Sequence, residues 1–212
     1  QAVVFLDGKE LGCHYGSYTK FWFDIPCLTA GEHLLVVKVD NEVNDRDTMP
    51  LRFVDWFVWG GIYREVELVQ FQSLSIDKIR IHSEWDQYQV SEITVCAQIK
   101  NWTNREIQDD FFLEIDSRKA KTLKAAILTG GEQEIRFVLK DFKPLLWDTE
   151  KPSLYTFRVG CSSDDLYERT GFRKIEVKKD KVLLNGKEIF IKGINRHNDH
   201  PELGYAVSPP LI

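Results

Sequence analysis

Two clusters in this chain carry residue types able to do chemistry. The first is Asn195-Arg196-His197-Asn198-Asp199-His200-Pro201, where a guanidinium, two imidazoles and a carboxylate follow the apolar run Ile189-Phe190-Ile191. One chemistry open to it is metal ligation through His197-x-Asp199-His200, since His and Asp both ligate zinc at short spacing. A closed site needs four ligands, however, and His14, His33 and His82 fall in unrelated strand contexts. The other chemistry is substrate contact, because barrel and α/β enzymes gather polar side chains at the end of a buried strand. A solvated polar loop is the plain alternative to both. The second cluster is Asp55-Trp56-Phe57-Val58-Trp59-Gly60-Gly61-Ile62-Tyr63-Arg64. Indole faces beside a glycine pair suit the C–H face of a pyranose, although aromatic runs more commonly pack a core or an interface.

Other candidates weigh less. Asp109-Asp110 and Asp164-Asp165 read as carboxylate pairs in solvated turns. Adjacent residues point apart on an extended chain, so neither pair can flank a scissile bond. GxSxG, HExxH, Walker and GxGxxG patterns are missing, which removes the common nucleophile, zincin and nucleotide readings. Four cysteines (Cys13, Cys27, Cys96, Cys161) lack CxxC spacing and read as unpaired thiols. Asn101-Trp102-Thr103 fits a glycosylation sequon, which matters only on a eukaryotic secretory route.

The elements that must position these groups are strands. Ala2–Leu6, Asp7-Gly8 and Lys9–Leu11 predict a hairpin whose turn needs positive φ. Phe21–Ile25, Glu32–Asp40 and Ile62–Phe71 predict further strands around a polar loop from Asn41 to Thr48. From Ser73 onward, Ile79/Ile81, Ile93/Val95/Ala97/Ile99, Phe111/Leu113/Ile115, Ile135/Phe137/Leu139 and Tyr155/Phe157/Val159 alternate with polar residues. Roughly seven short strands in about 100 residues predict an immunoglobulin-like sandwich. A last hairpin turns at Asn185-Gly186 and leads into the Arg196-His197 cluster.

Composition agrees with a folded chain of 212 residues, 43% hydrophobic and 29% charged. Net charge −5 argues against nucleic acid or an anionic membrane as partner. No apolar run approaches the ~20 residues that span a bilayer. The chain opens at Gln1 inside an expected strand and closes on Ser208-Pro209-Pro210-Leu211-Ile212, so it reads as part of a longer polypeptide. Its compartment, whether cytoplasmic, periplasmic or secreted, stays open.

Three separated patterns resemble glycoside hydrolase family 2, the β-galactosidase and β-glucuronidase family. Val4-Phe5-Leu6-Asp7-Gly8-Lys9-Glu10-Leu11-Gly12, with His14, Gly16, Tyr18, Phe21–Ile25, Leu35–Asn41 and Asp55–Arg64, is similar to that family's sugar-binding jelly roll. Leu146-Trp147-Asp148, Pro152, Leu154-Tyr155 and Gly171-Phe172-Arg173-Lys174-Ile175 resemble the end of its immunoglobulin-like domain. Leu184-Asn185-Gly186-Lys187 with Lys192-Gly193-Ile194-Asn195-Arg196-His197 resembles the opening of its (β/α)8 barrel. The resemblance therefore implies an all-β chain. It comprises a partial jelly-roll sugar-binding domain over 1–72, an immunoglobulin-like β-sandwich over 73–177, and the first hairpin and strand of a (β/α)8 barrel over 178–212.

The resemblance also implies a function. The complete protein is expected to be a retaining exo-β-glycosidase acting on a β-galactoside or related saccharide. The form Asn195-Arg196-His197-x-x-His200-Pro201-x-x-Gly204 resembles β-galactosidases more than β-glucuronidases. Asp55, Arg196 and His197 match the family's sugar-contacting positions. Both catalytic glutamates are expected outside this chain, which is then inactive alone. No cofactor or metal is expected in this portion, while the resemblance allows Mg or Na ions and a homo-oligomer in the complete protein. The rival is a stand-alone carbohydrate-binding or adhesion module of two β-sandwiches, and a purely structural role is a third reading. A binding module would leave the strand and cluster from Lys192 to His197 without a use.

Overall fold

The computed structural model describes residues 1–25, 28–42 and 58–207. Among them every regular element is a strand, and no helix is long and apolar enough to cross a membrane. The chain forms two compact units, Gln1–Leu68 with Ile194–Ile212, and Val69–Gly193.

In the first unit β1 (Ala2–Leu6) lies between β2 (Lys9–His14) and β3 (Leu35–Val39), antiparallel to both. The Asp7-Gly8 turn has the positive φ its sequence predicts, 50° and 79°. Asp7 also ties the turn to β3: its amide donates to Leu34 O (2.9 Å), its Oδ1 accepts from Leu34 N (2.8 Å), and its Oδ2 meets His33 Nδ1 at 2.6 Å. His33 Nε2 reaches Thr29 O at 2.8 Å, so a protonated ring donates at both ends. Those bonds raise the His33 pKa, the Thr29 carbonyl contributing most, and hold Asp7 below its ordinary value, chiefly through His33. Phe21–Ile25 and Ile62–Phe71 are not strands. Alternation marks a face suited to a sheet, but a strand also needs a ladder partner, and neither run has one among the described residues.

The second unit is an immunoglobulin-like sandwich. One sheet orders β4 (Leu74–Asp86), β5 (Gln89–Asn101) and β8 (Glu132–Leu139). The other runs β10 (Asp165–Thr170), β9 (Tyr155–Gly160), β6 (Ile107–Ile115), β7 (Arg118–Ile127). The inward faces supply the core: Ile93, Val95, Ala97 and Ile99 from β5, Phe111 and Leu113 from β6, Phe137 from β8, Phe157 and Val159 from β9. Period-2 alternation on both sheets generates that face directly. A bulge between Ile76 and Lys78 re-phases β4, so that Ile76 and Ile79 both point inward although three positions apart.

Asn101 closes one end of this sandwich. It is 3% exposed; its Nδ2 donates to Arg105 O (2.9 Å) and Ile127 O (3.0 Å), and its Oδ1 accepts from Thr103 N (2.9 Å) and Oγ1 (2.8 Å). The sequon pattern is therefore a loop-building motif, with Thr103 serving the Asn101 side chain.

Asp109-Asp110 is not a turn, while Asp164 lies in the connection between β9 and β10, and both pairs carry specific bonds rather than plain solvation. Asp109 and Asp110 lie within β6, where Asp109 Oδ2 accepts from Ser162 Oγ at 2.6 Å. Asp164 Oδ2 accepts from Ile76 N at 2.7 Å, and Asp165, the first residue of β10, accepts from Arg158 Nε at 2.6 Å. Short carboxylates met the amides and hydroxyl that the connecting segments leave unpaired.

A small sheet of β11 (Ile175–Lys178), β12 (Lys181–Leu184) and β13 (Lys187–Glu188) completes the unit. Its Asn185-Gly186 turn is clamped to the sandwich: Asn185 N donates to Lys174 O (2.8 Å), Asn185 Oδ1 accepts from Lys174 N (2.9 Å), and Asn185 Nδ2 donates to Trp147 O (3.0 Å). Gly186 sits at φ 81° under the Tyr88 ring, where a β-carbon would come within 2.7 Å of Cζ.

Candidate functional site

Arg196 and His197 lie on an exposed, extended run that leads into a tight loop, His200-Pro201-Glu202-Leu203-Gly204. Proline fixes φ just after the loop opens, and Gly204 takes φ 55° at its close. The loop is sealed by reciprocal bonds, His200 N to Gly204 O (3.0 Å) and Gly204 N to His200 O (2.9 Å). His200 Nδ1 accepts from Glu202 N at 3.2 Å, a local use of the ring. Among the described residues, no group of three His, Cys, Asp or Glu could hold a metal ion. Among these residues the His197-x-Asp199-His200 run therefore does not supply the donor set of a zinc site.

The loop rests on the residues that follow Asp55 in sequence. Trp59 covers Gly204 so closely that a β-carbon there would stand 2.9 Å from the indole Cδ2. Arg64 Nη1 donates to Tyr205 O at 2.7 Å and to Tyr63 O at 2.8 Å, and its guanidinium lies 5.1 Å from the centre of the Tyr63 ring. Tyr63 in turn donates its hydroxyl to Ser17 O. The Tyr205 ring packs edge-on to Tyr63 at 5.5 Å and lies 6.5 Å from Tyr18. Desolvation first, then the hydrogen bond with Tyr18, push the Tyr205 phenol up to about 12. Burial likewise raises Tyr63, although the Arg64 charge opposes the shift. The Tyr63 and Tyr205 phenols thus stay protonated at neutral pH, available as donors and acceptors rather than as bases.

Of the expected site residues, Arg196 and His197 are described, while Asp55, with Trp56 and Phe57, lies outside the described residues. So do Cys27, the expected loop from 43 to 48, and the closing Ser208–Ile212. Trp59, read as either a sugar platform or packing, packs on Gly204. Tyr205 and the roles of Tyr18 and Arg64 escaped the sequence reading. A guanidinium that recognises a carbonyl oxygen leaves no paired residue type to search for.

The family model described as glycosyl hydrolases family 2 matches residues 74–173, and the model of the same family's TIM barrel domain matches 175–212. A β-galactosidase from Thermoanaerobacterium thermosulfurigenes is 28% identical over 97% of this chain and 30% of its own length. A β-glucuronidase from Bacteroides fragilis is 30% identical over 98% of this chain and 32% of its own. The crystal structure of a β-galacturonidase from Eisenbergiella tayi superposes with a TM-score of 0.81 at 28% identity, covering 99% of this chain and 37% of that one. The chain therefore spans about a third of the length of these relatives. Two models of one family, matched in order on adjoining stretches and joined by likeness over nearly every residue, identify it: the chain belongs to glycoside hydrolase family 2.

Proposed function

We propose that the complete protein is a retaining exo-β-glycosidase, with terminal β-galactosides as its substrates, and that this chain is its accessory portion together with the opening of the catalytic barrel. In this reading Arg196, His197 and Asp55 contact the sugar's hydroxyl groups. The acid/base and nucleophile glutamates, about 5 Å apart in a retaining enzyme, are supplied by the remainder of the barrel. The observation that carries the reading is the seating of the loop after Arg196-His197 on Trp59 and Arg64, a few residues beyond Asp55 in sequence. A stand-alone binding module would have no need to hold an Arg-His run against its own aromatic residues. The galactoside preference rests on the Asn195-Arg196-His197-x-x-His200-Pro201-x-x-Gly204 pattern.

The test is hydrolysis of nitrophenyl β-galactoside, β-glucuronide and β-galacturonide by the complete gene product, with the anomer of the released sugar followed by NMR. Release of β-galactose as the first product is expected. Preference for either uronide overturns the substrate reading, and an α first product overturns retention. Turnover of none of the three overturns the enzyme reading.

A further inference from the structure

Residues 190–199 belong to no strand, and the loop that follows Arg196-His197 offers an anchor for them. That loop is held by two unusual fits. One terminal nitrogen of Arg64 uses both of its N–H bonds on main-chain carbonyls, Tyr63 O and Tyr205 O, so the guanidinium bridges the two segments whatever side chains they carry. The ring of Tyr63 beneath it and the Tyr63 hydroxyl bond to Ser17 O limit where that guanidinium can go. Gly204, buried at φ 55°, lets the Trp59 indole lie where any β-carbon would collide. Three peptide links, through Asn198 and Asp199, join His197 to the sealed His200–Gly204 turn, so its Cα can stray at most about 10 Å from it.

We propose that Arg64 and Gly204 are positioning residues that set the Arg196-His197 loop against the jelly-roll unit, without a contribution from the remainder of the barrel. The functional importance of that position rests on the glycosidase reading; the clamp itself does not. Arg64 touches neither sugar nor reacting atom in this assignment. It acts through the Tyr205 carbonyl, and Gly204 acts through Trp59.

The experiment uses the 212-residue chain, with amide exchange and the His197 imidazole resonances followed by NMR. In Arg64→Ala, exchange at His200 N and Gly204 N speeds up at least ten-fold and the His197 ring signals move toward those of an unstructured peptide. Meanwhile the β1 amides of Val3–Phe5 keep their protection. Gly204→Ala, which leaves Arg64 in place, gives the same pattern because its methyl displaces Trp59. Unchanged His200, Gly204 and His197 signals in Arg64→Ala overturn the clamp. Loss of β1 protection in both variants also overturns it, by making these residues part of the fold rather than of the loop's position. If the complete protein hydrolyses no β-glycoside, the sugar reading fails and the exchange result still stands.

Discussion

Replacing Asn101 by alanine should cost the sandwich about 3 kcal/mol. The side chain makes four hydrogen bonds, and its removal strands the carbonyl of Ile127 and the amide of Thr103, while the Arg105 carbonyl keeps the Thr103 hydroxyl at 3.0 Å. Ile127 is fully buried, so water cannot replace the lost donor there without opening the loop. A neutral bond is worth about 1 kcal/mol net, and a buried group left unsatisfied costs about 1–3 kcal/mol. Loop relaxation and hydration of the more exposed Arg105 carbonyl offset part of that sum. A loss of about 3 kcal/mol is a large share of the 5–15 kcal/mol typical of a domain. With a urea slope of about 2 kcal/mol/M, the unfolding midpoint should fall by about 1.5 M. Peak intensities of the fully buried Val95 and Leu113 amides report on this unit alone and measure the shift. Thr103→Val, which removes the hydroxyl shared between Asn101 Oδ1 and Arg105 O and keeps the amide, should cost about 1 kcal/mol. A midpoint shift below about 0.3 M for Asn101→Ala would refute the argument that these bonds seal a buried end. The same geometry makes a glycan on Asn101 Nδ2 incompatible with the folded sandwich.

Gly186→Ala should destabilise the β11–β13 sheet by about 1–3 kcal/mol, since the methyl meets the Tyr88 ring and φ 81° disfavours a side chain; thermal unfolding within 0.5 kcal/mol of the parent (~0.5, the usual range for surface changes) counts against it. His33 should titrate above 6.5, because the Thr29 and Asp7 bonds favour its charged form. Its contribution is fully present below 6.5 and is lost as pH rises through the folded value, whereas that of Asp7 is present above 3.8 and is lost as pH falls through its depressed folded value. An NMR midpoint at or below 6.5, or one unmoved by Asp7→Asn, contradicts this. The 212-residue chain alone should release no nitrophenol from a β-galactoside above background, since the general acid and nucleophile it would need lie elsewhere in the proposed enzyme; turnover that co-purifies with the chain would reverse that expectation.

Residues that act through their own conformation were the most legible. Asp7-Gly8 and Asn185-Gly186 turn where their sequences say they should, and the alternating apolar runs of β5, β6, β8 and β9 became the sandwich core. Strand β7 was hidden because Arg118, Lys119, Lys121 and Lys124 mask its alternation. Such charge is what an edge strand carries to discourage unwanted pairing. Phe21–Ile25 and Ile62–Phe71 show the opposite error, apolar runs whose pairing cannot be read locally. At the candidate site Arg196 and His197 stood out by type, after an apolar run, and Gly204 only through the family resemblance. The Arg64 bond to Tyr205 did not, because one of its two partners is peptide backbone.

Asn185 carries a consequence for how this sequence can drift. Each of its three bonds ends on main chain, at Lys174 N, Lys174 O and Trp147 O. Its two neighbours can therefore change their side chains without the clamp registering any difference, whereas Asn185 itself has no substitute that offers a donor and an acceptor at the same reach. Fold information stored this way sits in one letter rather than in matched pairs.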